Sequence, residues 1–115
     1  MEKAQDIKAL FIIINAGYTD EVVDIARGCG AGGVTIINSR GEGALHKSFM
    51  GITIESEKEI LLTLVNKETA VKIMREVKEK AGLDTPAHSI CFTMPVEKMT
   101  EINTHASDIK TQKKK

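Results

Sequence analysis

The side chains that most often carry out metal or nucleophilic chemistry are few in this sequence and lie far apart. Its only histidines are His46, His88 and His105, and no two have the close spacing that puts a pair of ligands on one face of a helix or strand. None of the serines lies in a recognisable nucleophile elbow. His88, beside a predicted turn, fits two interpretations, loop packing and ligand contact. The pattern predicts neither an enzyme nor a metal site within one chain.

Glycines are concentrated around the second apolar run of the chain. A backbone without a Cβ atom can approach a phosphate closely and present its N–H groups to it. Gly30, Gly32 and Gly33 are nevertheless better explained as a helix cap and tight turn. Gly41 and Gly43 do not complete a Gly-x-Gly-x-x-Gly fingerprint, and the sequence has no Gly-Lys-Ser/Thr P-loop. Classical dinucleotide-binding and NTPase folds are therefore not expected.

Apolar runs and helical patterns alternate in the order βαββαβ. Thr19 is the predicted N-cap of the first helix, and Gly82 is the predicted C-cap of the second. This order predicts an α+β, ferredoxin-like sandwich, in which an antiparallel sheet carries two helices on one face. The predicted strands are 7–15, 34–37, 58–65 and 89–94, and the predicted helices run from Thr19 to the glycines at 30 and over 67–81.

The segments outside this core are a loop and a tail. Residues 41–56 form a polar loop between the second and third strands, in which the alternation of 52–54 predicts a short ribbon. Pro95 ends the fourth strand, and a short turn or helix is expected after Val96. The last residues, 104–115, are polar and basic and are predicted to be disordered. The domain is accordingly placed at 1–103.

Composition excludes several classes of partner. With 115 residues the chain forms one domain with a small core, so self-association is expected. Its 16 basic and 16 acidic residues create no net field, and aromatic residues suitable for stacking on bases are scarce, which argues against nucleic acid. Cys29 and Cys91 form no disulfide framework, and the longest apolar run is too short to span a bilayer. A soluble, cytoplasmic protein is expected.

Three segments resemble one family. They are GAGGVTIINSRGEG at 30–43, EKEI at 57–60 and CFTMPVE at 91–97. Together they resemble the PII nitrogen-regulatory proteins, and the likeness extends in order and spacing from Ile7 to Ile102. The resemblance implies a homotrimer whose clefts between subunits bind ATP or ADP, often with 2-oxoglutarate, and whose long loop after the second strand docks on a protein target.

The resemblance also implies where the nucleotide would bind. The family positions of the site wall correspond here to residues on three strands and at the base of the loop. Ser89 stands where the family has a glycine before the fourth strand. The candidate nucleotide-binding set is Ile13, Gly33, Thr35, Arg40, Gly41, Gly43, Val65, His88 and Ser89.

The chain departs from the family at positions that contact anions. Ala44 and Leu45 replace the usual Arg and Gln, which puts 2-oxoglutarate binding in doubt. Ile90 stands in place of a lysine, and Glu101 and Asn103 in place of two arginines. Each lost charge-assisted hydrogen bond removes roughly 1.5–3 kcal/mol, so ATP or ADP is expected to bind more weakly than in the family. Cations that could substitute are Arg40, Lys47 and Lys58.

The loop at 41–56 is shorter than in typical members and contains no tyrosine, so control by tyrosine modification is not expected there. The predicted docking residues on a target, such as a transporter or a metabolic enzyme, are His46, Lys47, Ser48, Phe49 and Met50. Two alternatives stay open. One is a scaffold trimer that has lost nucleotide binding. The other is a trimer that binds metal through His46 or His88 of neighbouring chains.

Overall fold

Antiparallel strands and two helices make up the structure, a computed structural model that describes residues 2–3, 6–38, 47–49, 52–54 and 57–100, with side chains at 6–38 and 57–100. The elements in chain order are β1 (Glu2–Lys3), β2 (Ile7–Asn15), α1 (Thr19–Gly28), β3 (Thr35–Asn38), β4 (Lys47–Phe49), β5 (Ile52–Ile54), β6 (Lys58–Asn66), α2 (Lys67–Ala81), β7 (Ile90–Pro95) and β8 (Lys98–Met99). Neither helix in this described part is long and apolar enough to cross a membrane.

The central sheet has the strand order β3-β6-β2-β7, and every neighbouring pair is antiparallel. The inner strand β2 places Ile13 opposite Ile60 of β6 on one side and Ile90 of β7 on the other. The chain visits these strands in the order βαββαβ, with β6 lying between β2 and β3. The predicted α+β, ferredoxin-like sandwich is therefore confirmed.

One face of the sheet is covered by both helices. On β2 the alternate residues Leu10, Ile12 and Ile14 point to this side and are completely buried. They pack against the apolar stripes of α1 and α2, which recur at helical spacing. The buried helix residues in this core are Val22, Ala26, Ala70, Ile73, Val77 and Ala81.

The opposite face of the sheet is also apolar, and no described helix packs on it. Phe11 and Phe92 stack across β2 and β7 with ring centroids 5.0 Å apart and planes 12° apart. Both rings belong to a cluster that no helix residue joins. We call this cluster the helix-free face; it consists of Ala9, Phe11, Ile13, Ile37, Ile60, Leu62 and Phe92.

The two ends of helix α1 satisfy their backbone groups in different ways. The prediction of Thr19 as N-cap is wrong: Tyr18 holds that position without a side-chain cap, and the Thr19 hydroxyl donates to the Glu59 carboxylate instead. At the other end the predicted glycine cap is confirmed. Gly30 has φ +116°, and the amide of Ala31 donates to the Ala26 carbonyl at 3.0 Å. That bond closes a Schellman motif.

Helix α2 has the predicted bounds, and its N-cap is Asn66, which was not predicted from the sequence. The Asn66 side chain accepts from the Thr69 amide at 2.8 Å. Gly82 does hold the C-cap position, but with φ −81° it is not left-handed. Glycine is required there for space, because a Cβ would lie 2.5 Å from the Lys78 carbonyl oxygen. The predicted C-cap position of Gly82 is therefore confirmed, and lack of space accounts for the glycine.

The remaining differences lie at strand ends. Pro95 is the last residue of β7 and pairs with Lys8, which an edge strand tolerates because its outer N–H positions need no partner. Among the described residues after Val96, which end at 100, the expected short turn or helix does not form; β8 instead pairs antiparallel with β1. The ribbon predicted around 52–54 is confirmed as the β4–β5 pair. The tail at 104–115 lies outside the described residues.

Candidate functional site

Three connections meet at one end of the central sheet, which we call the loop end. Strand β2 ends there at Asn15, opposite Lys58 at the start of β6. Strand β3 ends beside it, because Asn38 pairs with Glu59, and β7 begins there at Ile90. The connections at the loop end are therefore 16–18, 39–57 and 82–89. The second of these contains the predicted docking loop, and the third contains His88 and Ser89 of the predicted nucleotide site.

The connection 82–89, here called the α2–β7 loop, is tied to itself. The Gly82 carbonyl accepts both from the Thr85 amide at 3.0 Å and from the Thr85 hydroxyl at 2.8 Å. The His88 amide then donates to the Thr85 carbonyl at 3.0 Å, and the Ser89 amide donates to Ala81 at 2.9 Å. Successive short-range bonds of this kind hold a loop in one shape, so its backbone is positioned before any ligand arrives.

His88 occupies a conformation that side chains seldom adopt. Its φ is +50°, in the left-handed region where histidine is one of the commoner non-glycine residues. The ring Nδ1 lies 3.0 Å from the Leu83 carbonyl oxygen, which can only accept, so Nδ1 carries the proton. Since that assignment leaves the lone pair of the neutral ring on Nε2, the exposed histidine offers an acceptor to a ligand.

Ser89 is buried, with 6% of its surface exposed, and its hydroxyl has no hydrogen-bond partner among the described residues. It lines a groove of about 710 Å³ between α2 and β7. Arg75 and Lys78 of α2 contribute cations to this groove, and Asp84 contributes a carboxylate. Burial raises the pKa of the Cys91 thiol, which also lines the groove, to about 11. That thiol is therefore neutral near pH 7.

The other predicted nucleotide residues separate into two groups. Ile13 lies at the loop end on the helix-free face, opposite Ile90. Val65 is completely buried beneath the helices and pairs with Lys8 of β2. Lys8 and Ile13 are five residues apart on this strand, so at 3.3 Å per residue the Val65 position lies roughly 17 Å from Ile13. The Gly33 carbonyl accepts from the Thr63 hydroxyl at 2.6 Å, toward that same far end. One chain brings Ile13 together with the α2–β7 loop, but not with Gly33 or Val65.

Thr35 is exposed at the start of β3 and pairs with Leu62, between those two groups. Several predicted residues lie outside the described residues: Arg40, Gly41 and Gly43 of the nucleotide set, and His46 and Met50 of the docking set. The other docking residues, Lys47, Ser48 and Phe49, form β4, whose backbone alone is described.

A polar network at the loop end was missed in the sequence. The Asn15 side chain donates to the Pro86 carbonyl at 2.9 Å and accepts from the Lys58 ammonium at 2.7 Å. Beside it, the buried Thr19 hydroxyl bonds Glu59. The available signal was a polar residue directly after the long apolar run of β2, but its partner at position 86 lies 71 residues away in sequence.

Comparisons with known proteins agree with this fold. Residues 7–106 match the family model described as nitrogen regulatory protein P-II. Similar solved structures include CPII from Thiomonas intermedia K12, bound to ADP, AMP and acetate, with 17% identity, a TM-score of 0.61 and coverage of 85% of this chain and 93% of that one. A proposed PII-like signaling protein from Thermus thermophilus has 24% identity, a TM-score of 0.58 and coverage of 76% of this chain and 84% of that one.

The likeness of fold extends to the periplasmic divalent cation tolerance protein CutA from Archaeoglobus fulgidus, with 12% identity, a TM-score of 0.61 and coverage of 83% of this chain and 88% of that one. At these identities the structures establish the fold alone. The comparison with curated proteins gave no match. The family match covers most of the sequence and includes the segments around β3, β6 and β7 that form the loop end. The chain therefore belongs to the P-II nitrogen regulatory protein family.

Proposed function

We propose that this protein is a PII-like regulatory homotrimer, which binds an adenine nucleotide in the cleft between subunits and signals to a protein target through the 41–56 loop. The observation that carries the proposal is the loop end. There the α2–β7 loop and the base of the docking loop meet beside Ile13 in a chain of the P-II family.

The trimer is supported by the second apolar face of the sheet. The helix-free face includes Leu62, Ile37 and Phe92, which are only partly buried within one chain. Ile90 and Met94 on the same side of β7 stay 42% and 39% exposed. A neighbouring subunit would remove this apolar surface from water. It would also allow the Gly33 and Val65 end of one chain to face the α2–β7 loop of another.

The ligand is proposed to be ADP or AMP in preference to ATP. CPII binds ADP and AMP, in one structure with acetate and in others with bicarbonate. In this chain the α2–β7 loop contains Asp84 and neither lysine nor arginine. Each further phosphate adds negative charge that such a loop leaves poorly compensated. Affinity is therefore expected to decrease from the shorter nucleotides to ATP.

Restoring a cation tests this site directly. In the Ile90→Lys variant, a lysine returns to the position where the family has one, at an exposed residue that tolerates the change. One charge-assisted hydrogen bond is expected to strengthen ATP binding by roughly ten- to a hundredfold in calorimetry. The matched control is Val71→Lys, which adds the same charge on α2, where the side chain is 45% exposed.

Two results would contradict the nucleotide site. One is equal ATP affinity in the Ile90→Lys and Val71→Lys variants. The other is no binding heat in any variant with AMP, ADP or ATP at millimolar concentration. 2-Oxoglutarate and bicarbonate belong in the same panel, and 2-oxoglutarate is expected to give no heat alone.

Light scattering tests the assembly. The native protein is expected at three times its chain mass of 12.6 kDa. Leu62→Lys puts an ammonium group on the helix-free face, where desolvation costs several kcal/mol, and is expected to give a monomer with unchanged circular dichroism. Val71→Lys is expected to stay trimeric. A native monomer, or a Leu62→Lys trimer as stable as the control, would refute the intersubunit site.

One observation favours a second candidate, a scaffold trimer without nucleotide. Ile90 presents an exposed apolar side chain at the family's lysine position, and Asp84 lies in the loop that would face phosphate. An intact trimer with no nucleotide binding would identify this function. A metal-binding trimer would have to take ligands from neighbouring chains or from residues outside the described ones, because the described residues of one chain contain no group of three His, Cys, Asp or Glu that could hold a metal ion. Metal content measured with and without chelator tests it.

A further inference from the structure

Asn15 joins two separate loops at the loop end. Its backbone amide donates to the Ala87 carbonyl at 3.0 Å, and its side-chain Nδ2 donates to the Pro86 carbonyl at 2.9 Å. Both acceptors lie in the α2–β7 loop. On the other side, its Oδ1 accepts from the Lys58 ammonium at 2.7 Å, where the chain leaves the docking-loop connection and enters β6.

The neighbouring residues strengthen the same junction. The Ala16 amide donates to the Glu57 carbonyl at 3.3 Å, immediately before Lys58. Thr19, at the start of α1, bonds Glu59 immediately after it. The base of the docking-loop connection is therefore held by residues at the end of β2 and just after it, and of these Asn15 also holds the α2–β7 loop through its side chain.

The chemistry of the Asn15 amide makes the two bonds depend on each other. Lysine can only donate and a backbone carbonyl can only accept, so the amide oxygen must face Lys58 and the amide nitrogen must face Pro86. A rotation that exchanged the two atoms would lose both bonds. A displacement of the α2–β7 loop that turns the amide therefore also changes the support of Lys58.

We propose that Asn15 is the positioning residue that couples the α2–β7 loop to the base of the docking loop. Whether this coupling transmits a signal from a bound nucleotide rests on the proposed function. The coupling itself is a property of the chain without ligand, since all the bonds described above are formed within one chain. It can therefore be measured before any ligand is identified.

Hydrogen exchange of the ligand-free, full-length protein tests the coupling. Thr85→Ala perturbs the α2–β7 loop by removing the hydroxyl bond to the Gly82 carbonyl. Amides in 82–89 and in 57–59 are both expected to exchange about three- to tenfold faster, as loss of a single hydrogen bond would produce by local opening.

Two second-site variants each break one half of the junction. Asn15→Asp keeps an oxygen for Lys58 but loses the donor to Pro86, and Lys58→Met removes the ammonium while leaving Asn15. In either background, Thr85→Ala is expected to accelerate 82–89 only. The matched control, Lys72→Met on the exposed surface of α2, is expected to leave the full two-segment response.

The outcomes separate the coupling from a merely stabilising role. If Asn15 only stabilised the fold, each variant would accelerate both segments by itself, but Thr85→Ala would still act on 57–59 in both backgrounds. That result, or no response of 57–59 in the native background, overturns the proposal. Should Asn15→Asp fail to fold, Lys58→Met with its control decides the question alone.

A second measurement separates this proposal from the proposed function. ADP at about 5 mM, in the millimolar range where weak ligands are detected, is expected to protect both segments in the native protein and only 82–89 in the Asn15→Asp variant. No protection anywhere counts against nucleotide binding, whereas the ligand-free exchange pattern still decides the coupling. Protection of both segments in Asn15→Asp overturns the coupling and leaves nucleotide binding supported.

Discussion

Gly82→Ala tests how tightly the α2–β7 loop is joined to its helix. A Cβ at Gly82 would lie 2.5 Å from the Lys78 carbonyl oxygen and 3.2 Å from its carbonyl carbon, all rigid backbone of the last turn of α2. Reaching ordinary contact at 3.4 Å requires a shift of roughly 0.9 Å. Gly82 is buried, and its carbonyl holds both bonds from Thr85, so the shift would also disturb the loop.

Forced overpacking of this kind costs about 2–3 kcal/mol. For a domain of this size each kcal/mol corresponds to about 4 °C, so the midpoint of thermal unfolding should decrease by roughly 8–12 °C. Calorimetric melts at one fixed protein concentration measure the change, because any oligomer makes the midpoint depend on concentration.

Gly28→Ala provides the matched control, since no atom beyond its chain neighbours and the adjacent backbone of its own helix lies within 4 Å of a Cβ there, and its φ is not positive. The same glycine-to-alanine change should there raise stability by about 0.5–1 kcal/mol, because alanine favours the helix and loses less backbone entropy on folding. A Gly82→Ala melt within 2 °C of the native protein, about the size of a 0.5 kcal/mol change, would refute the steric argument. So would an equal decrease in both variants.

Three further results are expected. Because burial raises the pKa of Cys91 to about 11 from an ordinary 9.0, the unfolded chain loses this proton first, and stability should fall by up to about 2–3 kcal/mol between pH 9 and 11. Urea unfolding of Cys91→Ala should lack that fall; an identical pH dependence would contradict it. Asn66→Ala should cost about 1 kcal/mol in urea unfolding by removing the cap on Thr69, and Asn66→Asp should retain most of it. In urea unfolding, Thr19→Val should lower the free energy of unfolding by about 1–2 kcal/mol and Thr19→Ser by much less. Equal losses in the two variants would show that the bond to Glu59 contributes nothing.

Periodicity was sufficient to predict the central architecture. The long β-branched run of β2 predicts a strand, and the apolar stripe of α2 predicts a helix. Burial of alternate side chains in a strand, or of every third or fourth side chain in a helix, produces a recognisable pattern of apolar residues in the sequence. Gly30 was likewise identifiable, since a left-handed residue at a helix end strongly favours glycine. Such features depend on neighbours close in sequence.

Features that depend on distant residues were missed. Thr19 has the side chain of an N-cap, and only the arrival of Glu59 beside α1 directs its hydroxyl elsewhere. The β1–β8 pair involves two residues from each end of the fold, too few to form a pattern. His88 and Ser89 of the candidate site could be assigned to one loop, because they are neighbours in sequence. The role of Asn15 could not be predicted, because the Pro86 carbonyl that it contacts lies 71 residues away in sequence.

The β1–β8 pair also has a mechanical consequence. Glu2 lies opposite Met99, and β2 and β7 continue the same antiparallel arrangement inward, with Lys8 opposite Pro95. Tension applied to the two ends therefore loads the hydrogen bonds one after another, as in unzipping, and does not load them all in parallel. The ends of the fold meet at the side of the sheet away from Asn15 and Lys58. A tether or fluorescent label attached there would report on force and assembly without touching the loop end.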